Sequence, residues 1–267
     1  MQVGAAAATT LFDEAGPGGA VFLRIALAAL ALVALWRPTL RGVGAAAARD
    51  ALLFGVTLAA MNWSFYEAID RIPLGIAVTI EFVGPLAVAF GRSHRRLVWL
   101  WAGLAAAGLL LLAPLHDASV DTVGAGFALL AGLFWGAYIL LSVRVGRAFP
   151  GGAGLAIAMA VAAALMIPVG VIEAGAQLLS AHVLAVALAV ALLSSAIPYS
   201  LELEALRRIP EATFGVLMSL EPAVAALVGF VALGQGLSVR EVIAIGFVLI
   251  ASAGALSSAG DRSVPPP

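Results

Sequence analysis

Apolar residues along this chain come in long unbroken stretches rather than in single alternation. A helix needs roughly 20 apolar residues to cross a bilayer. The stretches predict spans near residues 1–12 (short), 18–36, 51–69, 74–91, 97–114, 123–142, 152–171, 183–201, 211–233 and 240–258. Membrane β-strands would alternate polar and apolar positions instead. The expected fold is therefore an all-α membrane protein, a polytopic helical bundle of about ten transmembrane helices. The gaps between spans are short and leave no room for a soluble domain. The tail over 259–267, which ends in DRSVPPP, is expected to be disordered.

Composition supports this picture. The 267 residues are 63% hydrophobic and 11% charged, whereas a soluble domain carries about 25% charged residues. The net charge of −1 does not suggest a nucleic-acid partner. There is no cysteine, which excludes disulfides, cysteine zinc sites and thiol catalysis. All 14 basic residues are arginine, which removes a P-loop lysine and a lysine Schiff base. His94, His116 and His182 are scattered at segment ends, and no HExxH, GxSxG or EF-hand pattern occurs. The GVGAAA run at Gly42 follows no strand, so it does not make a dinucleotide fingerprint. No metal and no cofactor are implied.

Arginine placement predicts orientation, because cytoplasmic loops are enriched in basic residues. Arg37, Arg41, Arg49, Arg92, Arg95, Arg96, Arg144, Arg147, Arg207, Arg208 and Arg262 fall on one side. Arg71 and Arg240 fall on the other, with Asp13, Glu14, Asp117 and Asp121. The basic side is expected to be cytoplasmic, with the C-terminus inside.

The chain also repeats itself. Shifted by 137 residues (67 to 204), EAIDRIPLGIAVTIEFVGPLAVA lies over EALRRIPEATFGVLMSLEPAVAA without a gap. Glu67 meets Glu204, Arg71 meets Arg208 and Pro85 meets Pro222. Five spans per copy invert the second copy in the membrane. The predicted organisation is one repeat over 1–114 and a second over 123–258. The first copy lacks the counterpart of VGAGFALLAGLFWGA, so a start upstream of Met1 is expected. Inverted repeats with paired Gly/Pro-interrupted helices are an architecture of secondary transporters. Proline removes a backbone hydrogen bond. Such freed groups persist at membrane depth only where protein or a cavity satisfies them. Gly84, Pro85, Pro198 and Pro222 are thus candidate helix breaks around a central cavity.

Within these spans a few polar residues stand out. A charge at a helix centre costs about 2.5–3.5 kcal/mol on insertion scales. Glu81 and Glu221 are therefore candidate proton- or amine-binding groups. The structural alternative is a hydrogen-bonded carboxyl that locks helices together or satisfies broken backbone. Arg24 either binds a substrate carboxylate as a fork, or snorkels outward, or pairs with Asp13 or Glu14. Asn62, Tyr66 and Glu67 share one face of the third span, and Tyr199 and Glu202 occupy the matching region of the eighth. They either line a shared polar cavity or hold helices together. Glu67 and Glu202 lie near span ends, where solvation explains them as well. Trp135 and Tyr138 sit mid-span, as pocket walls or as core. Gly132 and Gly136 form a GxxxG suited to close packing within the bundle.

The segments MNWSFYEAIDRIPLGIAVTIEFVGPLAVAF and SSAIPYSLELEALRRIPEATFGVLMSLEPAVAALVGFVALGQ resemble the threonine/homoserine exporter group of the EamA-type drug/metabolite transporter superfamily. The likeness runs over almost the whole chain, to near Ser258. It implies a bacterial inner-membrane exporter of small amino acids, driven by the proton gradient, with five-plus-five inverted topology. The chain departs from the group in its short first helix and in GQGLS at Gly234, where many relatives carry Gly-Glu. The expected partners are a small-molecule substrate, protons and the lipid bilayer, with the oligomeric state open. The main rival is export of another metabolite or drug, such as a purine or a cationic compound. A membrane-embedded enzyme finds no reactive constellation, and a structural subunit has no need of two carboxylates beside helix breaks.

Overall fold

The computed structural model describes residues 7–8, 10–39, 42–91, 96–112, 121–221 and 238–260. Pro222, the loop at Gly234, most of the predicted span 1–12, His94, His116, Asp117 and the tail from 261 onward lie outside the described residues. The described chain forms α1 (Phe12–Trp36), α2 (Ala45–Arg71), α3 (Leu74–Glu81), α4 (Val83–Gly91), α5 (Arg96–Leu112) and α6 (Thr122–Ala148). It continues through α7 (Ala153–Ala174), α8 (Ala181–Ala191), α9 (Ile197–Arg208), α10 (Glu211–Leu217) and α11 (Val239–Gly260). Among the described residues there is no strand.

Local chemistry sets the helix ends. Gly16 turns the chain at φ 68, outside helical space, and Pro17 follows it at the start of the regular part of α1. The Gly18 N–H, which has no helical partner there, donates to Glu173 Oε2 at 2.7 Å. Asp121 caps α6 by accepting from Val123 N at 2.6 Å and Gly124 N at 3.1 Å. α2 stops at Arg71 because Ile72 is extended before Pro73, and α9 stops at Arg208 because Ile209 is extended before Pro210.

Five helical stretches are long and apolar enough to cross a membrane: Phe12–Trp36, Ala45–Arg71, Thr122–Ala148, Ala153–Leu179 and Ala181–Arg208. Shorter apolar helices cover Ile76–Gly91, Arg96–Leu111 and Val242–Ala255. Leu30, Leu35, Leu110, Leu133, Ile172 and Leu201 point outward and are exposed. An outer surface of that kind suits lipid contact rather than water. Inside, α1 packs along α7, α2 along α6 and α5 along α11. Small side chains set these contacts: Ala89, Ala102, Ala105, Ala251 and Ala255 fill the space between α4, α5 and α11. Small residues let helix backbones approach where no hydrophobic gradient drives them together.

The helix interruptions differ in detail from the sequence expectation. The path turns at Phe82, and Gly84 and Pro85 lie within the first turn of α4. Proline is tolerated near a helix start, where its missing N–H has no partner to lose. The break therefore falls one turn before Pro85. Pro198 makes no break: Leu192–Ala196 form a π turn, and the helix runs on through Pro198 into α9. The wider turn accommodates the ring without ending the helix.

The break is seated on α6. A Cβ at Gly132 would come within 2.5 Å of the Glu81 carbonyl oxygen. A Cβ at Gly84 would overlap the Gly132 carbonyl, and one at Gly136 would lie 3.3 Å from Gly84 O. Gly215 of α10 lies equally close to the Pro85 carbonyl. The GxxxG of α6 is thus an intramolecular seat, and Phe82 packs edge-on against Trp135 with centroids 4.9 Å apart.

These contacts are backbone to backbone, so a methyl group cannot be absorbed by a side-chain shift. Gly84→Ala should lower thermal stability in detergent by at least the about 1–3 kcal/mol typical of overpacking. Gly126→Ala, where a Cβ meets nothing within 4 Å, should leave it unchanged. Equal melting curves for the two variants would contradict this packing.

Candidate functional site

The charged and aromatic polar residues of the spans meet in one buried cluster. Arg24 of α1 is 5% exposed, and its guanidinium donates through Nη2 to Asn62 Oδ1 of α2. The same Asn62 oxygen accepts from the Tyr199 hydroxyl of α9 at 3.0 Å. The Asn62 amide nitrogen donates to the Leu58 carbonyl at 2.7 Å, which fixes the side chain with its oxygen toward the cluster. Arg24 also lies over the Tyr66 ring, 4.8 Å from its centroid. Arg24 neither snorkels nor pairs with Asp13 or Glu14: it is buried, and its described partners are Asn62 and Tyr66.

A second pair adjoins the first. Tyr138 of α6 donates its hydroxyl to Glu202 Oε2 of α9 at 2.8 Å. Its ring lies between Phe54 and Tyr199, at 5.4 and 5.5 Å. Glu202 is 7% exposed, so solvation at a span end does not explain it. Sequence reasoning left it between a shared polar cavity and solvation at a span end; its place three positions after Tyr199 puts both on one helix face. Glu67 is buried too, but its partner is local: Arg71 donates to Glu67 Oε2 and to the Glu67 carbonyl, both at 2.6 Å. It belongs to the end of α2, with Arg71 over the Phe127 ring at 5.2 Å.

Glu81 ends α3 at the break and is 8% exposed. Glu221 and Arg24 are both within electrostatic reach of its carboxyl. Glu202 is in turn within reach of Glu221. The cluster thus gathers one guanidinium, three carboxyls, three phenols and an amide from α1, α2, α6, α9 and the two interrupted helices. The predicted residues Arg24, Asn62, Tyr66, Glu81, Tyr138, Tyr199 and Glu221 all belong to it. Trp135 stands beside it, packed on the break rather than bonded to the polar groups.

Two buried donors in this cluster lack a partner among the described residues: Arg24 Nε and the Tyr66 hydroxyl. Buried polar groups are normally paired, so these are the positions at which an acceptor from a ligand is best received. The carboxyls supply the opposite polarity a few side chains away. Among the described residues no group of three His, Asp or Glu side chains gathers as metal ligands would. A crevice of about 430 Å³ opens elsewhere, between the α1–α2 and α6–α7 connections, lined by Trp36, Arg37, Phe149 and Gly151 among others.

A bundle of membrane-length helices around a closed, charged centre is the arrangement of a transport protein. Comparison with known proteins agrees. The model of the EamA-like transporter family matches residues 122–257. The threonine/homoserine exporter RhtA of Escherichia coli (strain K12) is 44% identical over 256 residues, covering 95% of this chain and 86% of that protein. Its counterpart from Salmonella typhimurium (strain LT2) is 43% identical over the same length. A solved crystal structure at 18% identity superposes with a TM-score of 0.76 over 97% of this chain and 93% of its own, which supports the fold. The chain belongs to the EamA-like transporter family, within the group of threonine/homoserine exporters. It is a multi-pass membrane transporter and not an enzyme.

The shared oxygen of Asn62 gives a direct test. Asn62→Leu strands the Arg24 and Tyr199 donors, each at the about 1–3 kcal/mol of an unsatisfied buried group. Tyr199→Phe removes one bond only and should cost about 0.5–1.5 kcal/mol. Unfolding in mixed micelles should rank Asn62→Leu well below Tyr199→Phe, and the reverse order would contradict the shared acceptor.

Proposed function

We propose that this protein exports small amino acids of the threonine and homoserine kind across the bacterial inner membrane by alternating access, in exchange for protons. The observation that carries the reading is the pairing of orphaned donors with carboxyls in one closed cluster. An amino-acid zwitterion presents a carboxylate to Arg24 Nε and Tyr66 OH, and an ammonium to Glu81 or Glu221. A purine has no such pair of charges, and a cationic drug leaves Arg24 unanswered.

Alternating access rests on two inverted halves, and several features support that reading. Asn62 and Tyr199, which bond to each other, are separated by the 137-residue repeat offset. A two-fold axis brings equivalent positions together in this way. The same offset relates the ends of α2 and α9 at Arg71 and Arg208, and the starts of α3 and α10 at Leu74 and Glu211. It relates the turn at Phe82 to the interruption at Met218–Ser219. The Glu67–Arg71 ion pair recurs as Glu204–Arg208. α1 packs along its counterpart α7, and α5 along α11. Arginine placement favours a cytoplasmic C-terminus, and the sequence pattern predicts about ten spans. Rocking of one half against the other opens the cluster to each side in turn.

Glu81 is the coupling group in this scheme. Its carboxyl takes a proton from the outside as cargo leaves, and gives it up on the inside as an ammonium binds. Glu221 shares the site, and the turns at Phe82 and at Met218–Ser219 are where both helices bend.

Efflux from cells or vesicles loaded with a panel of labelled amino acids, purines and cationic drugs separates the cargo classes. Threonine and homoserine should leave fastest, and selective purine or drug efflux would contradict the reading. Glu81→Gln keeps the shape and removes titration. It should insert normally, lose proton-driven efflux and lose the pH dependence of the residual transport. A fully active Glu81→Gln with an unchanged pH profile would make Glu81 structural.

A further inference from the structure

Resting on that reading, we infer that Ser195 recognises the side-chain hydroxyl of the cargo, and so sets threonine and homoserine apart from apolar amino acids of the same size. Ser195 stands in the π turn Leu192–Ala196 and is fully buried, at 0% exposure. Its hydroxyl has no hydrogen-bond partner among the described residues. Helix serines commonly donate back to the carbonyl four positions earlier. Ser200 does so to Ala196 at 2.6 Å, and Ser257 to Ala253 at 3.0 Å. Ser195 does not, so its hydroxyl is held away from water with its bonding capacity unused, against the rule for buried polar groups.

The place of Ser195 ties it to the cluster. The buried residues of α9 run in a stripe through Tyr199, Glu202, Leu203 and Leu206. Ser195 lies four positions before Tyr199 and extends that stripe by one turn. Helical side chains lean toward the N-terminus of their helix, so the Tyr199 ring leans toward the turn that carries Ser195. The hydroxyl of that ring bonds to Asn62, which also holds Arg24. The π turn itself packs against α1, the helix of Arg24. On α2, Tyr66 lies one turn after Asn62. On the proposed topology α2 and α9 run in opposite directions, so Tyr66 and Ser195 lie toward the same side of the Asn62–Tyr199 bond. The partnerless donors there are Arg24 Nε, the Tyr66 hydroxyl and the Ser195 hydroxyl.

A hydroxyl is the partner that suits Ser195. Arg24 Nε can only donate, and takes a carboxylate oxygen. A serine hydroxyl donates, accepts and rotates to suit. It can answer a cargo hydroxyl, on the β carbon in threonine or the γ carbon in homoserine. Valine and norvaline place a methyl group there and leave Ser195 unanswered. Sites built to bond a substrate hydroxyl reject the analogue that lacks it, whereas apolar pockets separate such pairs weakly. π turns are also frequent at functional sites. The other partnerless serines fit less well. Ser64 is two positions from both Asn62 and Tyr66, on the opposite face of α2. Ser252 follows Ala251 in the alanine seam of α11. Ser142, one turn beyond Tyr138 on α6, is the closest rival.

The test uses the purified full chain in proteoliposomes. The concentrations of threonine, valine, homoserine and norvaline that halve counterflow of labelled threonine give two selectivity ratios, one for each hydroxyl–methyl pair. Wild type should favour threonine over valine and homoserine over norvaline. Ser195→Ala should shrink both ratios by about 2- to 10-fold, the worth of one neutral hydrogen bond. Ser195→Cys keeps the size with only a weak donor, and should shrink them likewise if Ser195→Ala fails to fold. Ser252→Ala should leave both ratios as in wild type. Unchanged ratios in the Ser195 variants would overturn the assignment, including the case in which all four amino acids weaken equally, as they would if Ser195 bound the common carboxylate. Ratios lost in Ser142→Ala and kept in Ser195→Ala, or lost equally in Ser252→Ala, would overturn it too. Wild-type protein that exchanges a purine or a cationic drug but no threonine would overturn the export reading and this assignment together. A threonine-selective wild type beside an equally selective Ser195→Ala would overturn the assignment alone.

Discussion

A guanidinium buried among apolar helices has to be answered from within the protein, and here Asn62 answers it. Its one carbonyl oxygen accepts from Arg24 of α1 and from Tyr199 of α9, while its own amide nitrogen is tied to the Leu58 carbonyl. Three helices thus converge on a single acceptor. Removing a partner from such a network leaves a buried charge, which costs far more than one hydrogen bond. The position of the cluster follows from this convergence. Tyr66 lies under the guanidinium, Tyr138 stacks against Tyr199, and Glu202 hangs from Tyr138.

The second constraint is steric. At the turn around Phe82 the backbone of α3 and α4 rests directly on Gly132 and Gly136 of α6, and Gly215 of α10 rests on Pro85. No side chain intervenes, so the broken helix is located by backbone contact. That holds Glu81 at the turn, with Arg24 and Glu221 within electrostatic reach. A rigid seat on one face and an interrupted helix on the other make an element that can bend at one point while its position is held.

Much of this was legible in the sequence, because in a membrane polarity is conspicuous. Arg24, Asn62, Glu81, Tyr199 and Glu221 interrupt apolar runs at a cost; Arg24 and Tyr199 meet at Asn62, and Glu81 has Arg24 and Glu221 within electrostatic reach. The Pro73 and Pro210 stops of α2 and α9 follow from local sterics. What the sequence could not give depends on neighbours. Arg24 had several plausible partners, and only the packing of α1 beside α2 chooses Asn62. Glu202 reads either as a cavity residue or as a solvated end residue until Tyr138 of α6 is seen to bond it. Pro198 reads as a break, yet a π turn carries the helix through it. Glu173 gave no signal at all, since its task as acceptor for Gly18 N joins residues 155 positions apart.

The central claim is that the closed polar cluster opens to each side of the membrane in turn and holds the cargo. The chain has no cysteine, so a single introduced thiol reports alone. Ser142 is buried on α6, one turn beyond Tyr138. Labelling of Ser142→Cys by membrane-impermeant thiol reagents, applied from either face of sided vesicles, is the most direct measurement. The account predicts labelling from both faces, slowed by threonine and not by a bulky non-substrate amino acid. Labelling from one face alone, or without protection by threonine, would contradict it.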